Sequence, residues 1–308
     1  MIEHADLRLV NIDDVNLENR EYHISFPDEN SLVELLIDKT NIINPVTLLY
    51  SEPYIVIDGF RRLKYASRSG KSSVPAYILS ISREEALTLS ICQNLLRGLN
   101  LVEKAIAVAK MHKMGIPKEK ILNMMDILSL GKSEKVKDLC LNIANEKPEI
   151  KNYFLEHSLS LKTISYFFKL KEPTRNKIIS FLLGKSVTES SLREFFQIAV
   201  VSELKCGDKV FSELDFAETL EDAKKRLKKK AWPLLSDLEQ EFAKVSSRMA
   251  FPPNVKVRMD PNFEKEELEI SIKVKKKEEI ELILTKLNSA IKRGDFDKLF
   301  ELSSGKIC

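Results

Sequence analysis

Apolar and polar positions follow three successive patterns along the chain, and each predicts a different architecture. In residues 1–98, short apolar runs of strand length alternate with helical spacings. Asp6–Val10, Val46–Tyr50, Tyr54–Ile57 and Val74–Leu79 read as strands, with a Ser51-Glu52-Pro53 turn between the second and third. Leu32, Val33, Leu35, Leu36 and Ile37 place a short amphipathic helix at Ser31–Asp38, and Asn44-Pro45 breaks it. Phe60–Ser69 reads as a helix closed by Gly70. Ser82–Leu96 reads as a longer one, capped by Ser82 with Glu84 and Glu85 in its first turn. This is the pattern of a small α/β domain.

From Leu99 to about Val201 the strand signal vanishes. Seven short helices are predicted: Val102–Met114, Pro117–Leu128, Ser133–Ile143, Pro148–Glu156, Ser160–Leu170, Glu172–Leu183 and Glu189–Ala199. Residues 99–201 therefore form an all-α domain. The pattern changes again over residues 215–308. Leu220–Ser247 is a long helix interrupted at Trp232-Pro233, with Thr219 a candidate cap. Val255, Val257 and Met259, then Leu268, Ile270, Ile272 and Val274, alternate with polar residues as two half-buried strands joined by a Pro261-Asn262 turn. Ile280, Ile283, Leu284, Leu287 and Ile291 share one face of a helix over Glu278–Ile291. The fold class is α+β multidomain: a small α/β domain, an all-α domain and a helix–strand–strand–helix unit.

Composition narrows the function classes. Of 308 residues, 44% are apolar and 31% charged, and 49 Lys+Arg against 46 Asp+Glu leave a formal charge of +3. That balance excludes a polybasic binder held to nucleic acid by bulk attraction, so any such contact comes from local patches. No apolar run reaches the roughly 18 residues of a membrane span, and Met1–Val15 has no signal-peptide pattern. Cys92, Cys140, Cys206 and Cys308 are scattered, without CxxC spacing, and read as reduced cytosolic thiols. Nine glycines and eleven prolines disfavour disorder.

Two constellations carry chemistry. The Tyr54–Ile57 strand runs through Asp58-Gly59-Phe60-Arg61-Arg62 into a helix. Glycine permits a tight turn, the helix start offers unpaired N–H groups, and two guanidinium groups match phosphate oxygens. Such a junction is either an anion site, as for a nucleotide polyphosphate, or a turn with solvated arginines. The second is Gln93-Asn94-Leu95-Leu96-Arg97, where Asn94 and Arg97 share a helical face; taken alone it is a polar helix end.

Taken in order, Asn44-Pro45, Gly59-Phe60-Arg61-Arg62-Leu63-Lys64-Tyr65-Ala66, Val74-Pro75-Ala76, Gln93-Asn94-x-x-Arg97, Leu99-Asn100 and Glu103-Lys104-Ala105 resemble the ParB family of chromosome and plasmid partition proteins. The resemblance covers the first domain closely and the helical domain in outline. It implies a CTP site in which Gly59, Phe60, Arg61, Arg62, Asn94 and Arg97 hold the nucleotide, with Arg61 and Arg62 on the phosphates. It assigns Mg²⁺ to Asn94 with Gln93. It also implies a homodimer on double-stranded DNA, a ParA-type ATPase partner, and a cytoplasmic place on the nucleoid or a plasmid. Two positions depart from the family pattern. Phe60 and Gln93 stand where the family has glutamates, and a neutral amide is a poor Mg²⁺ ligand. Nucleotide binding without brisk hydrolysis is the expectation, so that enzymatic activity is at most a weak CTPase. The fold is shared with sulfiredoxin-like proteins, but no cysteine occupies the corresponding turn. A nucleotide-dependent small-molecule kinase and a DNA-binding regulator that has lost nucleotide use are the alternatives.

Within the helical domain, Pro117–Leu128, a turn through Ser129-Leu130-Gly131-Lys132 and a helix opened by Ser133 have helix-turn-helix spacing. Lys132, Ser133, Lys135 and Lys137 are the candidate DNA-contacting residues, although an ordinary α-hairpin has the same outline and Glu134 weakens the positive potential. Gly-Lys-Ser recurs at Gly70, Gly131 and Gly184, but Tyr65, Asp126 and Ile179 stand where a P-loop needs its first glycine. Lys224–Lys230 holds six basic residues in seven, read as a solvated face or a non-specific DNA contact. The last strands and helix are either a dimerisation unit or a closed monomeric mini-domain.

Overall fold

The computed structural model describes residues 5–27, 44–260 and 267–303. The helix expected at Ser31–Asp38 and the Pro261-Asn262 turn lie outside the described residues. The chain divides into two compact units, residues 1–168 and 169–308.

The first unit is built on a mixed five-stranded sheet. Its strands are β1 (Ala5–Asn11), β2 (Val15–Asn16), β3 (Val46–Leu49), β4 (Tyr54–Asp58) and β5 (Ser73–Leu79), in the order β1-β5-β3-β4-β2. β1 runs antiparallel to β5 and β3 parallel to it, β3 is antiparallel to β4, and β2 is parallel to β4. All four residues of β3 are buried, as befits a central strand apolar on both faces. Val46, Leu48, Val56, Val74, Ala76 and Ile78 pack against Leu63 and Ala66 of helix α1 (Phe60–Arg68). Helix α2 (Arg83–Leu95) lies against the opposite face, where Gln93 Nε2 donates to Thr47 Oγ1. Ser82 caps α2 through a reciprocal capping box with Glu85. These two helices, one on each face, set the first residues of α1 and the last turn of α2 at one end of the sheet.

Five further helices complete this unit: α3 (Leu101–Lys113), α4 (Lys118–Ile127), α5 (Glu134–Asn145), α6 (Pro148–Glu156) and α7 (Leu161–Phe167). A second capping box, Asn100 with Glu103, opens α3. Cys140 is buried on α5, and burial pushes its thiol up to about 12, so it behaves as a small core apolar group.

The second unit begins with α8 (Glu172–Leu182) and α9 (Glu189–Cys206), followed by a 3₁₀ segment at Asp208–Phe216. The expected break is at Trp232-Pro233: α10 spans Leu220–Ala231, and α11 (Pro233–Arg248) carries proline at its first position, where its missing N–H has no helical acceptor to satisfy. β6 (Val255–Met259) and β7 (Leu268–Ile272) form an antiparallel pair, and α12 (Lys277–Lys292) follows. The periodicity reading had no counterpart for β2, for the Asp208–Phe216 segment or for α13 (Asp295–Ser303). Its Leu299 and Leu302 bury against Leu238 and Val245 of α11, a set too short to register as a helical repeat. No helix among the described residues is long and apolar enough to cross a membrane.

Candidate functional site

Gly59 is where the site begins. It has φ +98° and ψ 19°, a conformation that L side chains rarely adopt, and a Cβ there would lie 2.7 Å from Val46 Cγ1. Only glycine lets β4 turn into α1 this closely over β3. The first turn of α1 carries no acidic residue, and its first residues line a cavity of about 290 Å³. Gly59, Phe60, Arg61, Arg62, Asn94 and Arg97 all line this cavity, together with Tyr22–Ser25 and Ser90. Residues separated in sequence are thus brought together.

The two arginines do different work. Arg62 is a brace: Nη1 donates to the carbonyls of Asn44 and Pro45 at 2.6 Å each, and Nη2 donates to Asp58 at 2.8 Å. Among the described residues Arg61 makes one bond, from Nη2 to Pro27 O at 3.2 Å, and its buried Nε has no hydrogen-bond partner. A buried orphan donor costs free energy unless an acceptor arrives. Phe60 uses its ring. It meets His23 edge-on at 4.7 Å and lies 5.5 Å below the guanidinium of Arg20. A glutamate at this position would face the cavity as a carboxylate. The phenylalanine instead seals the space between α1 and the Tyr22–Ser25 segment.

At the end of α2, Asn94 Nδ2 donates to Ser90 O, and its Oδ1 accepts from Arg97 Nε at 2.8 Å. Arg97 also donates to Ser25 Oγ and, through two nitrogens, to Glu103 at 3.1 and 2.7 Å. Glu103 is 1% exposed. It accepts from Phe26 N and Asn100 N as well, so one buried carboxylate ties α2, the cap of α3 and the Ser25-Phe26 loop together. Sequence reasoning placed Glu103 in a motif without giving it a role. The Asn100-x-x-Glu103 capping-box spacing was the available signal.

Gln93 does not join the cavity. Its amide faces Thr47 across the sheet. Asn94 Oδ1 is engaged by a guanidinium, and Asp58, the carboxylate lining the cavity, is paired with Arg62. This donor set does not make a magnesium site. Among the described residues no group of three or more His, Cys, Asp or Glu could hold a metal ion.

The helix pair α4–α5 has a six-residue connection, 128–133, longer than the usual helix-turn-helix turn. Ser133 stands at the N-cap of α5 but makes no side-chain capping bond. Lys135 is exposed, and Lys132 lies 3.7 Å from Asp126. Lys137 is drawn in: its side chain is 14% exposed and donates to Glu134 at 2.8 Å. The basic run on α10 is not a uniformly solvated face. Lys224 is buried and donates to Ser191, Glu194 and Glu221. Burial opposes its charge, but these bonds hold its pKa above the usual lysine value. Arg226 pairs with Asp222 and Glu213, and Lys230 with Glu213. Lys225, Lys228 and Lys229 line an adjacent groove of about 680 Å³.

No family model matches the chain. Among curated proteins, a probable plasmid-partitioning protein ParB of Thermus thermophilus is 26% identical over 199 residues, 59% of this chain and 65% of that protein. A nucleoid occlusion protein of Bacillus cereus is 25% identical over 187 residues, 58% of this chain and 63% of that one. The chain is thus similar to ParB-type partition and nucleoid occlusion proteins over somewhat under 60% of its length. It spans less than two thirds of the length of these curated relatives. A C-terminally truncated ParB from Caulobacter crescentus, solved with CTP-γ-S, is 17% identical over 68% of this chain and 99% of that one. Its TM-score of 0.27 transfers no geometry to this chain. Beside its glycine–arginine junction this chain carries Phe60 and Gln93, an aromatic residue and an amide, at the two positions where the ParB pattern has carboxylates.

Proposed function

We propose that the chain is a DNA-binding protein of the partition or nucleoid-occlusion kind, with a CTP-type nucleotide switch in residues 1–98. The observation that carries the nucleotide site is Arg61. Arg61 lines the cavity at the N-terminus of α1, and among the described residues its buried Nε has no hydrogen-bond partner. A triphosphate supplies the missing acceptors. Gly59 and Phe60 shape the approach, and Asn94 and Arg97 close the other side. With Asp58 paired to Arg62 and no metal-holding cluster among the described residues, the bound nucleotide acts by occupancy more than by turnover. In this reading, occupancy brings two first domains together around DNA, a ParA-type ATPase is the partner, and residues 215–308 join two copies. Ile280, Leu284 and Ile291 form an exposed apolar stripe on α12 that suits that last role.

Titration calorimetry with CTP, ATP and GTP tests the site, with and without Mg²⁺. Arg61→Ala should weaken CTP binding about tenfold, the worth of one charge-assisted hydrogen bond at roughly 1.5 kcal/mol. Arg61 is the better probe because truncating Arg62 also removes three structural bonds. Equal affinity in wild type and variant would overturn the assignment. Brisk Mg²⁺-dependent CTP hydrolysis would overturn the switch-by-occupancy reading.

For the DNA face, replacing Lys132 and Lys135 together by alanine should lower affinity and make the log–log salt slope shallower by about 1.8, since each phosphate contact contributes about 0.9. Lys137→Ala should change the slope less, because Glu134 already engages that charge. Fluorescence anisotropy at several salt concentrations reads both. An unchanged slope in the double variant removes α5 from the interface.

A further inference from the structure

We infer that β1 is an assembly edge: it pairs with β1 of a second copy, antiparallel, in a register centred on Leu7. Among the described residues β1 is the outer strand of the sheet, bonded to β5 on one side only. The pairing frame tells which groups face outward. Ile12 N donates to Ser72 O at 3.0 Å, continuing the Asn11–Ser73 register. Hydrogen-bonded pairs alternate along an antiparallel ladder, so Asp6, Arg8 and Val10 turn their backbone groups to β5. Leu7 and Leu9 turn theirs to the open edge.

Edges are ordinarily blunted by proline, a bulge or an unpaired lysine, and Asp6–Asn11 contains none of these. Its charges come instead as one acid and one base two residues apart, Asp6 and Arg8, with side chains 66% and 47% exposed. A second copy can pair only through the outward residues, so the register must match Leu7 and Leu9 with odd-numbered positions. Centred on Arg8, the pairing opposes two arginines. Centred on Leu9, it sets Arg8 against Val10. Centred on Leu7, it sets Asp6 opposite Arg8 of the second copy, twice by symmetry. The same register lines up the other face. Tyr77 is the cross-strand neighbour of Leu7. Leu7 is 55%, Leu9 72% and Tyr77 38% exposed, far more than large apolar groups beside an open edge need to be. Pairing forms a row of Tyr77, Leu7, and Leu7 and Tyr77 of the second copy across four strands. Charge complementarity and the outward amides thus name the occupant: another copy of this chain. In the single chain Arg8 Nε lies 3.5 Å from Asp6, and Arg8 also donates to Tyr54 OH at 3.1 Å, back over the sheet on β4, so pairing with a second copy exchanges the Asp6 contact within the strand for one across the new ladder.

Disulfide trapping in the full chain tests this. The background carries Cys92→Ser, Cys206→Ser and Cys308→Ser, leaving the buried Cys140. Leu7→Cys should form covalent dimers under mild oxidant, because directly opposed residues in such a pair lie about 5.5 Å apart. Leu9→Cys should not, since the two copies of that position are four residues apart along the ladder, about 13 Å. Asp6→Arg or Arg8→Asp, added singly to Leu7→Cys, should cut the crosslinking rate on the order of tenfold. Combining both restores it, because the swapped charges are again complementary. Crosslinking of Leu9→Cys at the rate of Leu7→Cys, or indifference to the single charge reversals, overturns the proposal.

Discussion

Gly59→Ala should be the most damaging conservative change in the first unit. The residue sits at φ +98°, where a Cβ strains the backbone, and the added methyl would lie 2.7 and 2.9 Å from two atoms of Val46. Val46 is 0% exposed and belongs to the central strand, so it has nowhere to move. Left-handed strain of about 1–2 kcal/mol and overpacking of about 1–3 kcal/mol together cost about 3 kcal/mol. Thermal unfolding should therefore shift down by about 6–12 °C for a unit of this size. Gly70→Ala is the control. It has a positive φ of +68° but open space around it, so it should lose only the backbone contribution, about 1 kcal/mol. Similar melting of the two variants would show that Val46 yields and that close approach is not what requires Gly59. Because Gly59 also forms the wall of the cavity, its substitution should weaken CTP binding beyond the Arg61→Ala effect, measured at a temperature where the variant is folded.

Breaking the Arg97–Glu103 pair should be nearly as costly. Arg97→Ala leaves a carboxylate that is 1% exposed with backbone donors alone, and Glu103→Ala removes four accepted hydrogen bonds at once. Each should destabilise by about 3 kcal/mol, the low end for splitting a buried pair, since the Arg97 side chain is 39% exposed. The double variant should cost less than the sum, with a coupling energy of about 1–2 kcal/mol in urea unfolding. Additive costs would mean that Glu103 acts through the α3 cap alone. Glu103→Gln separates the roles further: a neutral amide keeps one oxygen as an acceptor for the cap while giving up the charge opposite Arg97.

How far the sequence could be read depended on the range of the interaction. Capping at Ser82, the break at Trp232-Pro233 and the β6–β7 alternation are local, each set within a few residues, and the structure has them where periodicity placed them. The glycine–arginine junction was legible because strand, turn and helix start are contiguous. Gln93 was read as a neighbour of Asn94 at the site, but adjacent residues on a helix point about 100° apart. α2 packs one face on the sheet, and that packing sends Gln93 to Thr47 and Asn94 to the cavity. The Lys224–Lys230 run illustrates the same limit. Composition gives its charge, but only the approach of α9 shows that Lys224 is buried between Glu194 and Glu221.

By itself, then, the sequence determined the succession of an α/β segment, a helical segment and a mixed tail, the turn that needs glycine, and the family resemblance. These follow from steric and hydrophobic patterns that act between near neighbours. Only the tertiary structure decided, among the described residues, which of two arginines is a brace and which is left wanting an acceptor, that Glu103 is the buried partner of Arg97, and that β1 ends the sheet. Each of those depends on groups tens of residues apart, whose meeting is fixed by how the sheet is ordered and which helix face it buries.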